Sequence, residues 1–206
     1  MMTKPVSAAC ERNRDPILTI LRTVLEGPVR VLEIGSGTGQ HAVHFGSHLP
    51  HVVWQTSDLA DNHAGICAWL DEAKLPNVIP PILLDMADPD WAAPLTEAGF
   101  SVVYSANTCH IMAWPQVESM MAGIGRLLSP GGWLCIYGPF HYDGVPTSEG
   151  NAQFDRALRT DGPHRGIRNI EAMQKLAADH GMQQHADHSM PANNRLLIFQ
   201  RFAGVD

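Results

Sequence analysis

A glycine-rich segment carries the clearest chemical signal in the sequence. Gly35, Gly37 and Gly39 stand at alternate positions directly after the apolar run Val29–Ile34, near whose end lies Glu33. A segment that can form a helix follows, so the pattern predicts a buried strand that turns tightly into a helix. Such a turn leaves backbone N–H groups pointing outward and lets a ligand approach the main chain. We therefore expect a cofactor to bind here.

Glu33 needs partners for its charge at the end of a buried strand. A buried carboxylate without hydrogen bonds or an ionic partner is costly, so its position implies that partners are available. We expect the amino end of a cofactor or the amides of the glycine turn to supply them.

Strands and helices alternate along the chain and would hold this turn in an open sheet. Five strands separated by helices require parallel pairing with right-handed crossovers, and a short loop before the last strand predicts an antiparallel hairpin. We predict an α/β fold, doubly wound, with a mostly parallel seven-stranded sheet ending in that hairpin. The predicted strands are Val29–Ile34, His51–Thr56, Ile82–Leu84, Ser101–Ser105, Trp133–Tyr137, Met182–His188 and Leu196–Phe202.

Proline positions set two of the predicted boundaries. Residues 1–14 are polar and irregular, and Asp15 followed by Pro16 is typical of a helix start, so we predict that the first helix begins there. Pro80 and Pro81 cannot lie in a central strand, which shortens the third predicted strand.

Length and composition indicate a single globular domain over residues 1–206, with a leader and helix at 1–27. The irregular stretch 139–166 is long enough to be a lid over a substrate. A formal net charge of −7 disfavours binding to nucleic acid. No apolar run suits a membrane span and the N-terminus does not resemble a signal peptide, so we expect no membrane association and a cytoplasmic location.

Cysteine and histidine spacing predicts no metal site. The four cysteines are scattered, which suggests reduced thiols rather than a disulfide framework or a zinc site. His41, His44 and His48 share one helix face, but no cysteine or carboxylate joins them at matching positions.

Two cofactor-binding patterns compete for the glycine turn. The dinucleotide pattern Gly-x-Gly-x-x-Gly fits poorly, because Gln40 stands where the third glycine is required. The pattern Glu-x-Gly-x-Gly-x-Gly is met without a gap from Glu33 to Gly39. This pattern resembles motif I of the class I S-adenosylmethionine-dependent methyltransferases.

Asp58 extends the resemblance to that family. It follows the second predicted strand, where the family's acidic residue accepts both ribose hydroxyls and where ligands of doubly wound sheets bind. Asp58 can instead cap the next helix, although Asp61 or Asn62 suits the cap position better.

The resemblance covers roughly residues 29–140 and the C-terminal end. Asp85 and Met86 end the third predicted strand, where the family places a side chain against the adenine amine, and Leu127–Gly132 resembles its Leu-Lys-Pro-Gly-Gly turn. The resemblance implies S-adenosyl-L-methionine as the cofactor. The residues it assigns to cofactor binding are Glu33, Gly35, Ser36, Gly37, Gly39, Asp58, Leu59, Asp85, Met86 and Asn107.

A narrower resemblance spans nearly the whole chain. The segments that carry it are Ser7–Asn13, Gly37–His41, Tyr137–Phe140, Gly166–Arg168 and Met190–Asn194. They are similar to an uncharacterised family that includes methyltransferase-like protein twenty-six. This similarity implies the same fold and cofactor and names no substrate.

Candidate catalytic residues follow the fourth and fifth predicted strands. His110 can orient or deprotonate a methyl acceptor, or it can only shape the cofactor pocket, as a histidine here often does in related methyltransferases. Tyr137 and His141 are further catalytic candidates, with polar loop residues as the alternative.

Candidate substrate-binding residues lie in two later segments. Asn193 and Asn194 occupy the predicted hairpin tip, although asparagines in turns commonly serve the backbone. Arg165 belongs to the stretch 139–166. The Glu11–Asn13 segment can fold back over the cofactor or remain a solvated leader.

Together these patterns predict S-adenosylmethionine-dependent methyl transfer to a small molecule. One alternative is a non-catalytic S-adenosylmethionine-binding sensor or partner subunit. A nicotinamide-dependent oxidoreductase is a weaker alternative, because Gln40 and the terminal hairpin disfavour it. The methyl acceptor and the oligomeric state stay open at this point.

Overall fold

A computed structural model describes residues 4–202 of the chain. In chain order the elements are α1 (Ala8–Val24), β1 (Val29–Ile34), α2 (Gln40–His48), β2 (Val52–Asp58), α3 (Ala60–Ala73), β3 (Val78–Leu83), a 3-10 helix (Ala93–Ala98), β4 (Val102–Ala106), α4 (Trp114–Leu127), β5 (Trp133–Gly138), β6 (Phe140–His141), α5 (Glu149–Asp161), β7 (Arg168–Asn169), α6 (Ile170–Asp179), β8 (Met182–Met190), a 3-10 turn (Pro191–Asn193) and β9 (Asn194–Arg201). The described residues form two compact units, 4–85 with 99–105 and 86–98 with 106–202.

The sheet has seven strands in the order β3-β2-β1-β4-β5-β9-β8. In the first unit β1 pairs in parallel with β2 and β4, and β2 pairs in parallel with β3. In the second unit β9 is antiparallel to β5 and β8. The predicted α/β fold with a terminal antiparallel hairpin is therefore confirmed. Because β1 lies between β2 and β4, the glycine turn leaves the sheet where strand order reverses, the usual ligand position in such folds.

The N-terminal helix begins earlier than predicted. It starts at Ala8 with Ser7 as N-cap, whose Oγ accepts the Cys10 N–H at 3.4 Å, and Pro16 lies inside the helix. The prediction of irregular structure up to Asp15 was therefore wrong for Ala8 onward. Proline costs a helix one internal hydrogen bond. Burial of one face of α1, including Ile17 at 0% exposure, offsets that cost.

The third strand is longer than predicted because it lies at an edge. The observed strand runs over Val78–Leu83, whereas the predicted one was Ile82–Leu84. The observed strand includes both Pro80 and Pro81. An edge strand has one side without ladder partners, so proline is tolerated there. The Gln55 side chain adds a contact by donating to the Pro80 carbonyl at 2.7 Å.

Two other expectations change in detail. Helix α3 begins at Ala60 with Leu59 as N-cap, so neither Asp61 nor Asn62 occupies the cap position. Within the stretch 139–166, the sequence predicts one short helix at about Ala152–Leu158, and the observed α5 covers it and is longer; the short strand β6, which pairs in parallel with β7, was not predicted.

No helix within residues 4–202 combines the length and apolar character needed to cross a membrane.

Candidate functional site

The glycine turn of the first unit has a backbone that requires glycine. Gly35, Gly37 and Gly39 adopt φ values of 74°, 57° and 85°, which side-chain-bearing residues disfavour. A Cβ on Gly39 would lie 3.1 Å from the Ile66 Cα, whereas a Cβ on Gly37 would meet nothing within 4 Å. The turn is thus packed against α3 at Gly39 and bordered by open space at Gly37.

Glu33 is buried at the end of β1, with 1% of its surface exposed. Its Oε2 accepts the Ser36 hydroxyl at 2.9 Å and the Trp54 indole N–H at 3.0 Å. Burial raises the pKa of Glu33 to about 7, and the nearby Asp58 carboxylate adds to the rise. Within residues 4–202, no lysine, arginine or histidine is among the groups acting on this pKa. Its buried partners are therefore neutral hydrogen-bond donors, with no compensating positive charge.

Asp58 links the glycine turn to the start of α3. Its Oδ2 accepts the Gly37 N–H at 2.7 Å, and its Oδ1 accepts the Leu59 N–H at 2.8 Å and the Asn62 amide at 2.7 Å. A second bridge joins the same strands, since Ser36 N–H donates to the Ser57 carbonyl at 2.9 Å. The carboxylate thus bonds to the start of the next helix and also to the glycine turn, and ribose binding by Asp58 stays a prediction.

The remaining predicted adenine-side residues differ in exposure. Leu59 is 49% exposed, while Met86, in the second unit, is 5% exposed. Asp85 is exposed, and the preceding Leu84 N–H donates to the Asp58 carbonyl at 3.2 Å. In the first unit, Leu59 and Asp85 therefore follow strands that end side by side.

A polar network between α1 and α2 escaped the sequence analysis. Gln40 Oε1 accepts the Ser7 N–H at 2.5 Å, and its Nε2 donates to Glu11 at 2.6 Å. His41 Nε2 bonds the Asn13 Oδ1 at 2.7 Å, and burial lowers the pKa of His41 to about 3. The Glu11–Asn13 segment is thus helical and held against the first turn of α2, so it is not a solvated leader. Contacts across about thirty positions leave no periodic signal in a sequence.

In the second unit, His110 follows β4 in a buried position. It is 6% exposed, and its ring lies edge-on to that of Phe154 with the centroids 5.3 Å apart. A Cβ on Gly138 would lie 3.8 Å from His110 Nδ1. Burial, followed by the positive charge of Arg168, lowers the pKa of His110 to about 4. His110 is therefore neutral at physiological pH and able to accept a proton.

The other catalytic candidates are also buried in this unit. Tyr137 on β5 is 2% exposed, and its carbonyl accepts the Asn107 N–H at 2.8 Å. Asn107 has a positive φ of 59°. His141 on β6 is 7% exposed, and its Nε2 has no hydrogen-bond partner among the described residues. Neither Tyr137 nor His141 is a loop residue on the surface.

The predicted substrate-binding residues have backbone or ionic partners in the second unit. Asn193 has a φ of 55°, and its carbonyl accepts the Asn151 amide at 3.1 Å. The Asn194 amide donates to the Pro191 carbonyl at 3.1 Å. Arg165 pairs with Asp161 on α5. Asparagine at this tip therefore serves the turn, as asparagines commonly do, and contact with substrate stays a prediction.

Arg168 is a further residue of interest that was not predicted, and its side chain binds the segment that carries His110. Its Nε donates to the Cys109 carbonyl at 2.9 Å. The resemblance of Gly166–Arg168 to a family segment was the one signal that pointed to it.

The family comparison covers nearly the whole described chain. A family model described as "Protein of unknown function (DUF938)" matches residues 4–201.

Solved structures of methyltransferases share this fold at low sequence identity. An O-methyltransferase family protein from Burkholderia thailandensis superposes with a TM-score of 0.79 at 18% identity, covering 93% of this chain and 57% of that one. The S-adenosylmethionine-dependent methyltransferase SibL, solved in its apo form, gives 0.76 at 19% identity, covering 95% and 56%. A protein from Galdieria sulphuraria that is named as a sarcosine dimethylglycine methyltransferase superposes with a TM-score of 0.73 at 13% identity, covering 91% of this chain and 85% of that one.

The chain spans little more than half the length of the first two of these proteins. At these identities the likeness establishes the Rossmann-like methyltransferase fold.

Proposed function

We propose that this chain, which belongs to the DUF938 family, is an S-adenosylmethionine-dependent methyltransferase that acts on a small molecule. The observation that carries the proposal is Glu33, a buried carboxyl group beside a glycine turn with no cationic partner among the described residues. The cofactor's ammonium group would supply the missing positive charge. The narrower similarity to the family of methyltransferase-like protein twenty-six agrees with this function. We also propose that the protein acts in the cytoplasm.

The residues of the first unit fit the cofactor. The open space at Gly37 leaves room for a ligand against the main chain, and the Asp58 carboxylate beside it can accept ribose hydroxyls. We assign the ammonium end to Glu33 and the turn, the ribose to Asp58, and the adenine side to Leu59 and Asp85. The full proposed set is Glu33, Gly35, Ser36, Gly37, Gly39, Asp58, Leu59 and Asp85 here, with Met86 and Asn107 in the second unit.

When bound, S-adenosylmethionine supplies an electrophilic methyl group on a sulfonium centre. The protein's task is then to align an acceptor atom in line with that methyl group, which can contribute several kcal/mol. A general base helps if the acceptor arrives protonated. His110 is neutral near pH 7, so we propose that it takes the proton from the methyl acceptor. Tyr137 and His141 would orient the acceptor.

Substrate contacts are assigned to Asn193, Asn194 and Arg165 as proposals. The names of the structural neighbours support a small acceptor, since one is named as a sarcosine dimethylglycine methyltransferase. The formal charge of −7 disfavours nucleic acid as the acceptor.

Titration calorimetry of the full chain with S-adenosylhomocysteine and, separately, NADH tests the proposal. We expect micromolar binding of S-adenosylhomocysteine and no heat with NADH. Binding of NADH alone would favour the oxidoreductase alternative. If S-adenosylhomocysteine binds, incubation with methyl-labelled S-adenosylmethionine and a panel of hydroxyl, amine and thiol acceptors separates an enzyme from a sensor, because only an enzyme transfers label.

A further inference from the structure

The segment Gly166–Arg168 has no role in the function proposed so far. It belongs to the second unit and lies against the turn that carries His110. We propose that Arg168 is a positioning residue that holds this turn and keeps its own positive charge beside the His110 ring. The inference rests on the part that the proposed function gives to His110.

Three hydrogen bonds fasten the two segments together. Arg168 Nε donates to the Cys109 carbonyl at 2.9 Å, and its Nη2 donates to the Met112 carbonyl. Between these two points, the Gly166 N–H donates to the carbonyl of His110 itself at 2.9 Å. The backbone of the turn is therefore held before, at and after the histidine, which fixes the point from which its side chain projects.

The guanidinium group is suited to this task because it is planar and carries five N–H donors in a fixed fork. Arg168 also donates to the His164 carbonyl at 3.1 Å, so one side chain reaches three separate carbonyls. A lysine ammonium carries its three donors on a single atom, so it cannot reproduce bonds made from two separate nitrogens, Nε and Nη2.

Arg168 differs from the other arginines of its segment in having no acidic partner. Arg156, Arg159 and Arg165 each pair with a carboxylate within α5 or its N-terminal turn. Across residues 4–202, no ion pair involves Arg168. Its charge is directed instead at carbonyl oxygens and at the Trp114 ring, whose centroid lies 5.8 Å from the guanidinium carbon.

The charged and titratable groups around this arginine are few. Burial lowers the pKa of Arg168; among the charged groups, Cys109 on the turn and Asp155 on α5 act to raise this pKa, and Arg159 on α5 acts to lower it. For His110, burial acts first and Arg168 is the charged group that acts with it. Both effects favour the neutral imidazole, which is the form a general base requires.

The rest of the motif supports the placement of Arg168. Gly166 has a φ of 149°, and a Cβ there would lie 2.7 Å from Arg159 Nη2. The Ile167 N–H donates to Asp155 Oδ1 at 2.6 Å. The backbone before Arg168 is therefore tied to α5, so the arginine projects from a fixed point.

Titration of the His110 ring by NMR between pH 3 and 8 tests the inference in the full chain. The His110 signal is assigned by its absence in His110→Gln. The variants are Arg168→Met, which removes both the hydrogen-bond donors and the charge, Arg168→Lys, which keeps the charge, and Arg156→Met as control. Arg156 is an exposed arginine of α5 that pairs with Glu149 on the same helix.

We expect a His110 midpoint near 4 in the wild type and in Arg156→Met. In Arg168→Met the midpoint should rise only part of the way towards the ordinary 6.5, because burial is the larger cause of the lowered pKa and is still present. Arg168→Lys should show a smaller upward shift of the His110 midpoint, because the positive charge remains but the hydrogen bonds to the Cys109 and Met112 carbonyls are lost. If Arg168→Met does not fold, the lysine variant still decides the matter.

Two results would overturn the inference. The first is a His110 midpoint in Arg168→Met equal to that of the wild type. The second is an unchanged midpoint in Arg168→Lys, since the guanidinium hydrogen bonds would then be dispensable. Calorimetry with S-adenosylhomocysteine on the same samples keeps the proposed function separate. Absence of binding in the wild type would refute that function, while the His110 titration would still report on the role of Arg168.

Discussion

Asp58 Oδ2 accepts the backbone N–H of Gly37 at 2.7 Å, so the carboxylate at the end of β2 is bonded directly to the glycine turn at the end of β1. The bond holds the turn beside the open space at Gly37. It also places the Asp58 carboxylate at the position that we propose for the cofactor ribose.

Replacing Asp58 by alanine should weaken S-adenosylhomocysteine binding by tenfold or more, on the order of 1.4 kcal/mol. The reason is the loss of the hydroxyl acceptor together with the bond to the turn. Calorimetry measures the change. Asp61→Ala is the matched control, because Asp61 is an exposed carboxylate in the first turn of α3. Equal affinities in a folded Asp58→Ala protein would remove the ribose assignment.

Gly37→Ala should abolish binding while costing no more stability than the same substitution at Gly99. Gly37 and Gly99 both have positive φ, 57° and 70°, and in both cases an added Cβ meets nothing within 4 Å. Each alanine should therefore cost about 1–2 kcal/mol of backbone strain. Only the methyl group at position 37 enters the proposed cofactor space. Chemical denaturation and calorimetry of both variants check this, and loss of binding in Gly99→Ala as well would contradict it.

Glu33 should make the ligand-free protein less stable as pH rises from about 4.5 to about 7. In that window the folded state retains a proton that the unfolded state has released, so stability falls with pH and levels off above the folded pKa. The full effect is on the order of 3 kcal/mol.

Glu33→Gln is the test, because glutamine stays uncharged and keeps an oxygen for Ser36 and Trp54. Urea unfolding at pH 5 and pH 8 should show a smaller pH difference in the variant than in the wild type. Identical pH profiles would argue against a raised pKa. The same variant should lose affinity for S-adenosylhomocysteine, since it lacks a charge for the ammonium group.

Asn13→Ala should destabilise the protein by about 1–3 kcal/mol, because it leaves the buried His41 Nε2–H without its acceptor. Urea unfolding at pH 7 measures the loss. Arg12→Ala, one position along α1 and exposed, should change stability much less. Similar losses in both variants would mean that α1, rather than this hydrogen bond, determines the effect.

The sequence predicted the parts of the fold that depend on local pattern. The glycine turn and the hairpin follow from apolar runs and turn residues, and both lie close to their predicted positions. The start of α1 could not be found in this way. The Asp15–Pro16 signal is local, whereas Ser7 and the Asn13–His41 bond favour an earlier start through a contact distant in sequence.

The same limit applies to the candidate site. Glu33 and Asp58 were found because each ends a strand, and strand ends are visible in the sequence. Arg168 was missed because its partners, Cys109 and Met112, lie more than fifty positions earlier. The burial of His141 was hidden for a related reason, since the two-residue strand it belongs to is too short for a periodic pattern.

The two prolines of β3 also affect how copies of the protein meet. An exposed strand edge normally presents a row of N–H donors on which another chain can add a strand, and this is a common route to aggregation. Pro80 and Pro81 lack N–H groups at two successive positions of the outermost strand, and because successive N–H groups point to opposite sides of a strand, one of the missing donors belongs to the open edge. Replacing both prolines by valine should therefore give the edge strand a complete set of N–H donors and promote concentration-dependent aggregation, without any change at the glycine turn.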